Sequence, residues 1–322
     1  MSKYLKSIFT FVAVRFRFKI FFKILRFFQN HKLLATLNSR IIQFFDPNNL
    51  RRKTSSKIKK TKVLETGVYG ETLMLDLAEH IEYRTFFQGF FDLVAPEVIK
   101  KLGNHQEVRF FDIGANVGII SLAVAKIGVE VHAFEPVPKN IESLRNNFSL
   151  NPGLVVTVWP IALVSNSEFD KSDFLDLFIP EGNSGATSSM LDWNLGKSAP
   201  KKIRVQTITL DELVFRNLAK NLTGLLVIKI DVEGMEHSVL SGATKVIELF
   251  EPVIILEWRP DRLSDFQKEM LKNFLLKNLD YDIVKVSFDF TTKKLFWMEV
   301  DWLTSSENLV FFPRAMRGIL IN

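Results

Sequence analysis

Phe111-Asp112-Ile113-Gly114-Ala115-Asn116-Val117-Gly118 is the stretch on which the fold turns. It closes an apolar run, Val108 to Ile113, and opens a helically spaced stretch over 117–127, so a buried strand passes directly into a helix. Gly114 and Gly118 remove side chains where the backbone must approach a ligand, and Asn116 is the non-glycine type that best tolerates a left-handed backbone. The turn is therefore built to cradle something polar. It lacks both the Gly-x-Gly-x-x-Gly fingerprint and the Lys-Ser/Thr end of a phosphate loop, which removes the main support for a dinucleotide or nucleoside-triphosphate site.

The same strand-then-helix alternation repeats on either side. Val129 to Phe134, Leu154 to Trp159, Leu225 to Ile230 and Pro252 to Trp258 read as further buried strands, with helical spacing over 138–149, 235–249 and 263–278. Alternation of this kind implies right-handed crossovers and a parallel sheet covered on both faces, a doubly wound α/β domain. Residues 281–287 and 308–313 read as two late strands forming an antiparallel edge. Residues 165–200, rich in Ser, Asp, Gly and Asn, read as a long inserted loop covering the substrate side.

Composition bounds the chemistry. The 322 residues contain no cysteine, which excludes thiolate metal sites, cysteine nucleophiles and disulfides and suits a reducing, cytoplasmic setting. The net charge of +6 is unevenly spread: residues 1–62 hold 16 Lys/Arg and one acid (+15), leaving 26 basic and 35 acidic residues (−9) in the body. An acidic body argues against nucleic acid as a partner.

Residues 1–45 read as an amphipathic helical extension, 46–62 as a basic linker, and 63–322 as the globular domain, with its core over about 105–313. The first 28 residues carry eight phenylalanines and seven Lys/Arg, and no uncharged run approaches the roughly 18 to 20 residues needed to span a bilayer. On a helix Arg15, Lys19, Lys23 and Arg26 fall within about 80° of one another, a basic stripe suited to an anionic membrane surface, although docking on the body or on a partner explains it equally.

Two further motifs lie at strand ends. Ala133-Phe134-Glu135-Pro136 places an acid 17 residues past Gly118, where a carboxylate can accept hydrogen bonds from ribose hydroxyls. Asp112 adds a carboxylate that repels a pyrophosphate and welcomes an ammonium. Together they describe a nucleoside with a cationic amino-acid tail, S-adenosylmethionine, although a helix-capping acid and a turn-making proline would explain either motif singly. The third motif, Lys229-Ile230-Asp231-Val232-Glu233-Gly234-Met235-Glu236, puts Lys229, Asp231 and Glu233 on one side of a strand. Acids in a helix's first turn also suit its dipole, so capping is the competing reading, strongest for Glu236.

These motifs, with Thr209-Leu210-Asp211-Glu212-Leu213 and Leu240-Ser241-Gly242-Ala243, resemble the FkbM family of S-adenosylmethionine-dependent methyltransferases from about residue 70 to 313. The resemblance implies a Rossmann-like class I fold with a seven-stranded sheet, and O-methylation of a hydroxyl on a sugar, glycolipid or related small molecule. The cofactor-binding residues are expected to be Asp112, Gly114, Asn116, Gly118, Glu135 and Pro136. Asp231 is the first candidate base, Glu233 the second and His237 the third. A divalent metal held by Asp231, Glu233 and Glu257 is the sharper alternative. A non-catalytic, membrane-tethered binding module is the rival from another class.

Overall fold

The computed structural model describes residues 62–321 except 89, 181–184, 186, 190–199, 221, 259–263, 266, 267, 270–272, 275–278, 290–293 and 301–306. The expected extension over 1–45, nearly all of the 46–62 linker, and most of the expected helix over 263–278 lie outside the described residues. Among those described, no helix is long and apolar enough to cross a membrane.

In chain order the elements are β1 (Lys62–Thr66), β2 (Thr72–Asp76), α1 (His80–Gln88), α2 (Val94–Gly103), β3 (Val108–Ile113), α3 (Ile119–Lys126), β4 (Glu130–Phe134), α4 (Pro138–Ser149) and β5 (Val156–Trp159). There follow β6 (Ala162–Leu163), α5 (Asn166–Phe169), β7 (Phe174–Ile179), β8 (Lys201–Ile208), α6 (Leu210–Leu213), β9 (Leu225–Ile230), α7 (Glu236–Ser241), α8 (Thr244–Phe250) and β10 (Val253–Trp258). The chain closes with β11 (Tyr281–Asp289), β12 (Lys294–Met298), β13 (Glu307–Pro313) and α9 (Arg317–Ile321).

The central sheet has the order β12-β11-β13-β10-β9-β3-β4-β5. From β5 to β10 neighbouring strands are parallel, and β13, β11 and β12 add an antiparallel edge. This is the doubly wound arrangement expected from the sequence, with eight strands instead of seven. The extra one is β12, whose Lys294 to Met298 pairs with β11 and alternates exposed with half-buried residues.

Burial on both faces explains the near-continuous apolar strands. Along β3, Phe110 packs into the core formed with α2 and α3, while Phe111 packs into the opposite core with α6, α7 and α8. The same split separates Val227 from Ile228 and Val253 from Ile254. Each such side chain contributes about 1.5–3 kcal/mol on leaving water. A third core joins Leu73 and Leu75 of β2 and Tyr83 and Phe86 of α1 to Val117, Ile119 and Leu122. Asn147 of α4 and Asn151 just beyond its end clamp β2 to this core, their side-chain oxygens accepting from Met74 N at 2.7 Å and Thr72 N at 2.8 Å.

Two expectations need correction. The 165–200 stretch is not one long loop: it contains α5 and β7, and β7 pairs antiparallel with β8 in a small sheet ordered β6-β8-β7. The alternating Leu175 and Leu177 against Val205 and Ile203 drive that pairing, since one face of the hairpin must be buried. The expected helix over 235–249 is broken at Gly242, where a Cβ would stand 2.0 Å from the Val164 carbonyl oxygen. A new helix starts there because buried Asp211 accepts from Val246 N at 2.9 Å and Lys245 N at 3.1 Å. The carboxylate thus satisfies amide donors at the start of α8 and holds its first turn.

Candidate active site

The carboxyl ends of β3, β4 and β9 meet at one place, and the glycine turn is the reason. Gly114, Asn116 and Gly118 all adopt left-handed backbones, with φ of 87°, 52° and 83°. Gly114 N and Ala115 N both donate to Phe134 O at 3.0 Å, so the turn folds over the tip of β4. Asp231 N donates to Ile113 O at 3.0 Å, which brings the end of β9 against the other side. Gly118 does not line the cavities; its conformation starts α3, and it packs within reach of Leu144.

Two open cavities share this turn. The first, of about 610 Å³, is lined by Glu135, Pro136, Val137, Ala162, Leu163 and Met235 among others. The second, of about 850 Å³, lies on the other side of the turn, with Asp112, Lys229, Glu257, Ile81, Arg84 and Phe91 in its wall. Gly114, Asn116, Gly185, Asp231 and Glu233 border both. Gly185 seals the seam: a Cβ there would meet Ile81 Cδ1 at 2.3 Å and Asn116 Nδ2 at 3.0 Å. The hairpin segment also supplies Leu177 and Thr187 to the first cavity, and Ser188 Oγ donates to Glu233 O at 3.0 Å.

Glu135 is buried, and its carboxylate organises the turn. Oε2 accepts from Asn116 N at 2.9 Å, and Oε1 accepts from Val137 N at 2.9 Å and Asn140 Nδ2 at 3.3 Å. A carboxylate offers about four acceptor positions, so capacity remains for one more donor. Burial outweighs these hydrogen bonds and pushes its pKa up to about 7.

Asp112 is 1% exposed, and only half of its carboxylate is satisfied. Ser121 Oγ donates to Oδ2 at 2.5 Å, whereas Oδ1 is buried with no hydrogen-bond partner. Burial raises its pKa against the opposing pull of the Lys229 charge. Asn116 Oδ1 is a second buried acceptor without a donor at the same turn. Unmade hydrogen bonds to buried groups cost about 1–3 kcal/mol each, so these two oxygens call for a donor from outside the chain.

At the end of β9, Lys229 Nζ donates to Asp231 Oδ2 at 2.8 Å. Burial opposes the Lys229 charge, but Asp231, Asp112 and Asp92 outweigh it and raise its pKa. Glu257 on β10 is pushed up to about 9, first by the Asp231 charge and then by burial and a hydrogen bond with Asp231. At neutral pH that pair holds one proton between two carboxyl groups. Asp231, Glu233 and Glu257 each offer an oxygen, all within 4.8 Å of one another, an all-oxygen set of the kind a hard cation takes. Lys229 already supplies one positive charge to it.

The structure brings together Asp112, Gly114, Asn116, Glu135, Pro136, Asp231, Glu233 and Glu257 around the two cavities. His237 is not among the lining residues; it sits on α7 near Glu168, and burial lowers its pKa. Glu236 is the capping acid of the loop, its Oε1 accepting from Gly234 N at 3.0 Å. His80 and Arg84 line the second cavity, whereas Tyr83 and Phe86 of the same helix are buried in the third core. Sequence reasoning passed over His80, because a polar residue on a short helix carries no local sign of which surface the helix will cover.

Residues 112–283, more than half of the chain, match the methyltransferase FkbM domain. Among solved structures, a methyltransferase FkbM from Methylobacillus flagellatus KT is similar at 14% identity and a TM-score of 0.40, over 85% of this chain and 60% of that one. A precorrin-6Y C5,15-methyltransferase from Geobacter metallireducens GS-15 is similar at 13% identity and a TM-score of 0.33, over 68% of this chain and 88% of that one. The magnesium protoporphyrin IX methyltransferase ChlM from Synechocystis PCC 6803, solved with bound SAM, is similar at 13% identity and a TM-score of 0.34, over 68% of this chain and 74% of that one. This chain thus spans 60% of the length of the Methylobacillus protein. No curated protein matches the sequence.

Proposed function

The chain belongs to the methyltransferase FkbM family, and from that premise we propose that it transfers a methyl group from S-adenosylmethionine to a hydroxyl of a sugar, glycolipid or related small molecule. The observation that carries the reading is the buried, unpartnered Oδ1 of Asp112 on the wall of the second cavity. A buried acceptor on a carboxylate asks for a charged donor, and an α-ammonium group supplies both the charge and the N–H. Across the turn, Glu135 keeps one acceptor position for a ribose hydroxyl, and Pro136, Val137, Ala162 and Leu163 offer the apolar walls a purine needs.

When bound, S-adenosylmethionine supplies a methyl carbon made electrophilic by its sulfonium. The chain's task is then to hold an acceptor oxygen about 3–3.5 Å from that carbon and in line with the departing sulfur. Asp231, which borders both cavities, accepts the hydroxyl proton in this reading as the oxygen–carbon bond forms. Lys229 holds Asp231 in position at 2.8 Å, and the carboxyl proton of Glu257 keeps the cluster from accumulating a third negative charge. The net negative floor also favours a cationic ligand over a neutral one.

The test is incubation of the protein and S-adenosylmethionine with sugar and lipid extracts, followed by mass spectrometry. Products heavier by one methylene, formed together with S-adenosylhomocysteine and alkali-stable as ethers are, support the reading. Methylation of nitrogen or carbon in place of oxygen would overturn its acceptor half.

A further inference from the structure

We propose that Arg84 anchors an oxyanion, a phosphate or carboxylate carried by the acceptor, on the α1 wall of the second cavity. This rests on the methyl-transfer reading and narrows its substrate class to anionic hydroxyl compounds.

The orientation of α1 starts the argument. Tyr83 and Phe86 are 0% and 3% exposed in the third core, so that face of the helix is fixed inward. Ile81 and Arg84, three residues apart and on another face, are thereby turned to the second cavity, which both of them line. The guanidinium stands 5.6 Å from the centre of the Phe91 ring, and Phe91 is itself packed against two of the cores. An arginine laid on a fixed aromatic platform loses little further freedom when it binds.

Its charge is not used by the fold. Four carboxyl groups, Asp112, Asp231, Glu233 and Glu257, line the same cavity, yet Arg84 forms no ion pair or hydrogen bond with any described residue. Lys229 takes the role of the acids' counter-cation instead. Five N–H donors in a rigid fork, half-buried and unengaged, match the geometry of a phosphate or carboxylate. The acids set the direction: an anion is repelled from their end of the cavity and drawn to the α1 wall, which leaves the acceptor's hydroxyl end toward Asp231. Charge separation across one cavity would thus orient the acceptor as well as hold it.

The test is calorimetric titration of the S-adenosylhomocysteine-saturated protein with glucose 1-phosphate, glucuronate and glucose, for the wild type, Arg84→Gln and Arg84→Lys. The expected result is millimolar or tighter binding of at least one charged probe, weaker binding of glucose, and a loss of about tenfold or more in Arg84→Gln that Arg84→Lys partly restores. The phosphate and carboxylate arms decide which oxyanion is preferred. Unchanged affinity in Arg84→Gln, equal affinity for glucose, or no binding of either charged probe by the wild type overturns the proposal. Affinity for S-adenosylhomocysteine reports on the fold of each variant: a protein that holds the charged probe through Arg84 but does not bind S-adenosylhomocysteine would sink the methyl-transfer reading and leave the oxyanion site standing.

Discussion

Gly114 and Asp231 approach so closely that a Cβ built on the glycine would lie 1.9 Å from the Asp231 carbonyl oxygen. Two motifs more than a hundred residues apart in the chain are therefore one structural unit: the glycine turn exists in this form because the end of β9 is pressed against it.

Replacing Gly114 by Ala should be costly on two counts. The left-handed backbone alone costs roughly 1–3 kcal/mol for a residue with a Cβ, and the overlap with a backbone atom adds to it. The expected outcome is a lower melting temperature together with loss of S-adenosylhomocysteine binding. A variant that melts and binds like the wild type would show that the turn is looser than the structure has it.

Asp112→Asn and Glu135→Gln keep shape and remove charge. Asp112→Asn should raise the dissociation constant for S-adenosylhomocysteine about 10- to 100-fold, the range of a lost charge-assisted hydrogen bond of about 1.5–3 kcal/mol. Glu135→Gln should weaken binding less, about tenfold, because the amide can still accept from Asn116 N. Titration calorimetry on folded variants decides this, and equal affinities in all three proteins would remove both residues from the cofactor site.

Stability should fall as pH rises. Glu135 and Glu257 have folded-state values of about 7 and about 9 against an ordinary 4.5, so the folded protein binds more protons than the unfolded chain over those windows. Their contribution is complete below about 4.5 and lost as pH climbs through 7 for Glu135 and 9 for Glu257. The melting temperature of the ligand-free protein should drop between pH 7 and 9, and Glu257→Gln, which cannot ionise, should flatten that drop. An equally steep decline in the variant would mean that Glu257 is already ionised at neutral pH.

Asp231→Asn should lower kcat by about 10²- to 10⁴-fold with cofactor binding retained, the range for loss of a positioned base. Glu257→Gln should keep most activity at neutral pH, since an amide mimics the protonated carboxyl beside Asp231. A large loss in Glu257→Gln, coupled to a requirement for added magnesium in the wild type, would favour a metal held by Asp231, Glu233 and Glu257 over a shared proton.

The central strands and the tip acids were legible because their signals are local: an apolar run that ends in Gly114 or Pro136 announces both the strand and its carboxyl end. The features that escaped depend on contacts between distant segments. The break at Gly242 is set by the Val164 carbonyl and by Asp211, neither of which lies in the helix it interrupts. The β7–β8 hairpin was hidden by the polar residues between its strands, although Leu175 and Leu177 already alternate as a half-buried strand must. His80 reaches the second cavity only because the third core docks α1 over the turn. His237 follows Glu236 in sequence but lies outside the lining of both cavities, since one helical step turns a side chain by about 100°.

The central claim is that Asp112 and Glu135 hold opposite ends of one adenosyl ligand, and a crystal structure with S-adenosylhomocysteine tests it most directly. The predicted result has the ligand's ammonium within hydrogen-bond distance of Asp112 Oδ1, a ribose hydroxyl on Glu135, and the sulfur facing Asp231. A ligand bound away from the glycine turn, or lying with its ribose toward Asp112, would contradict the account.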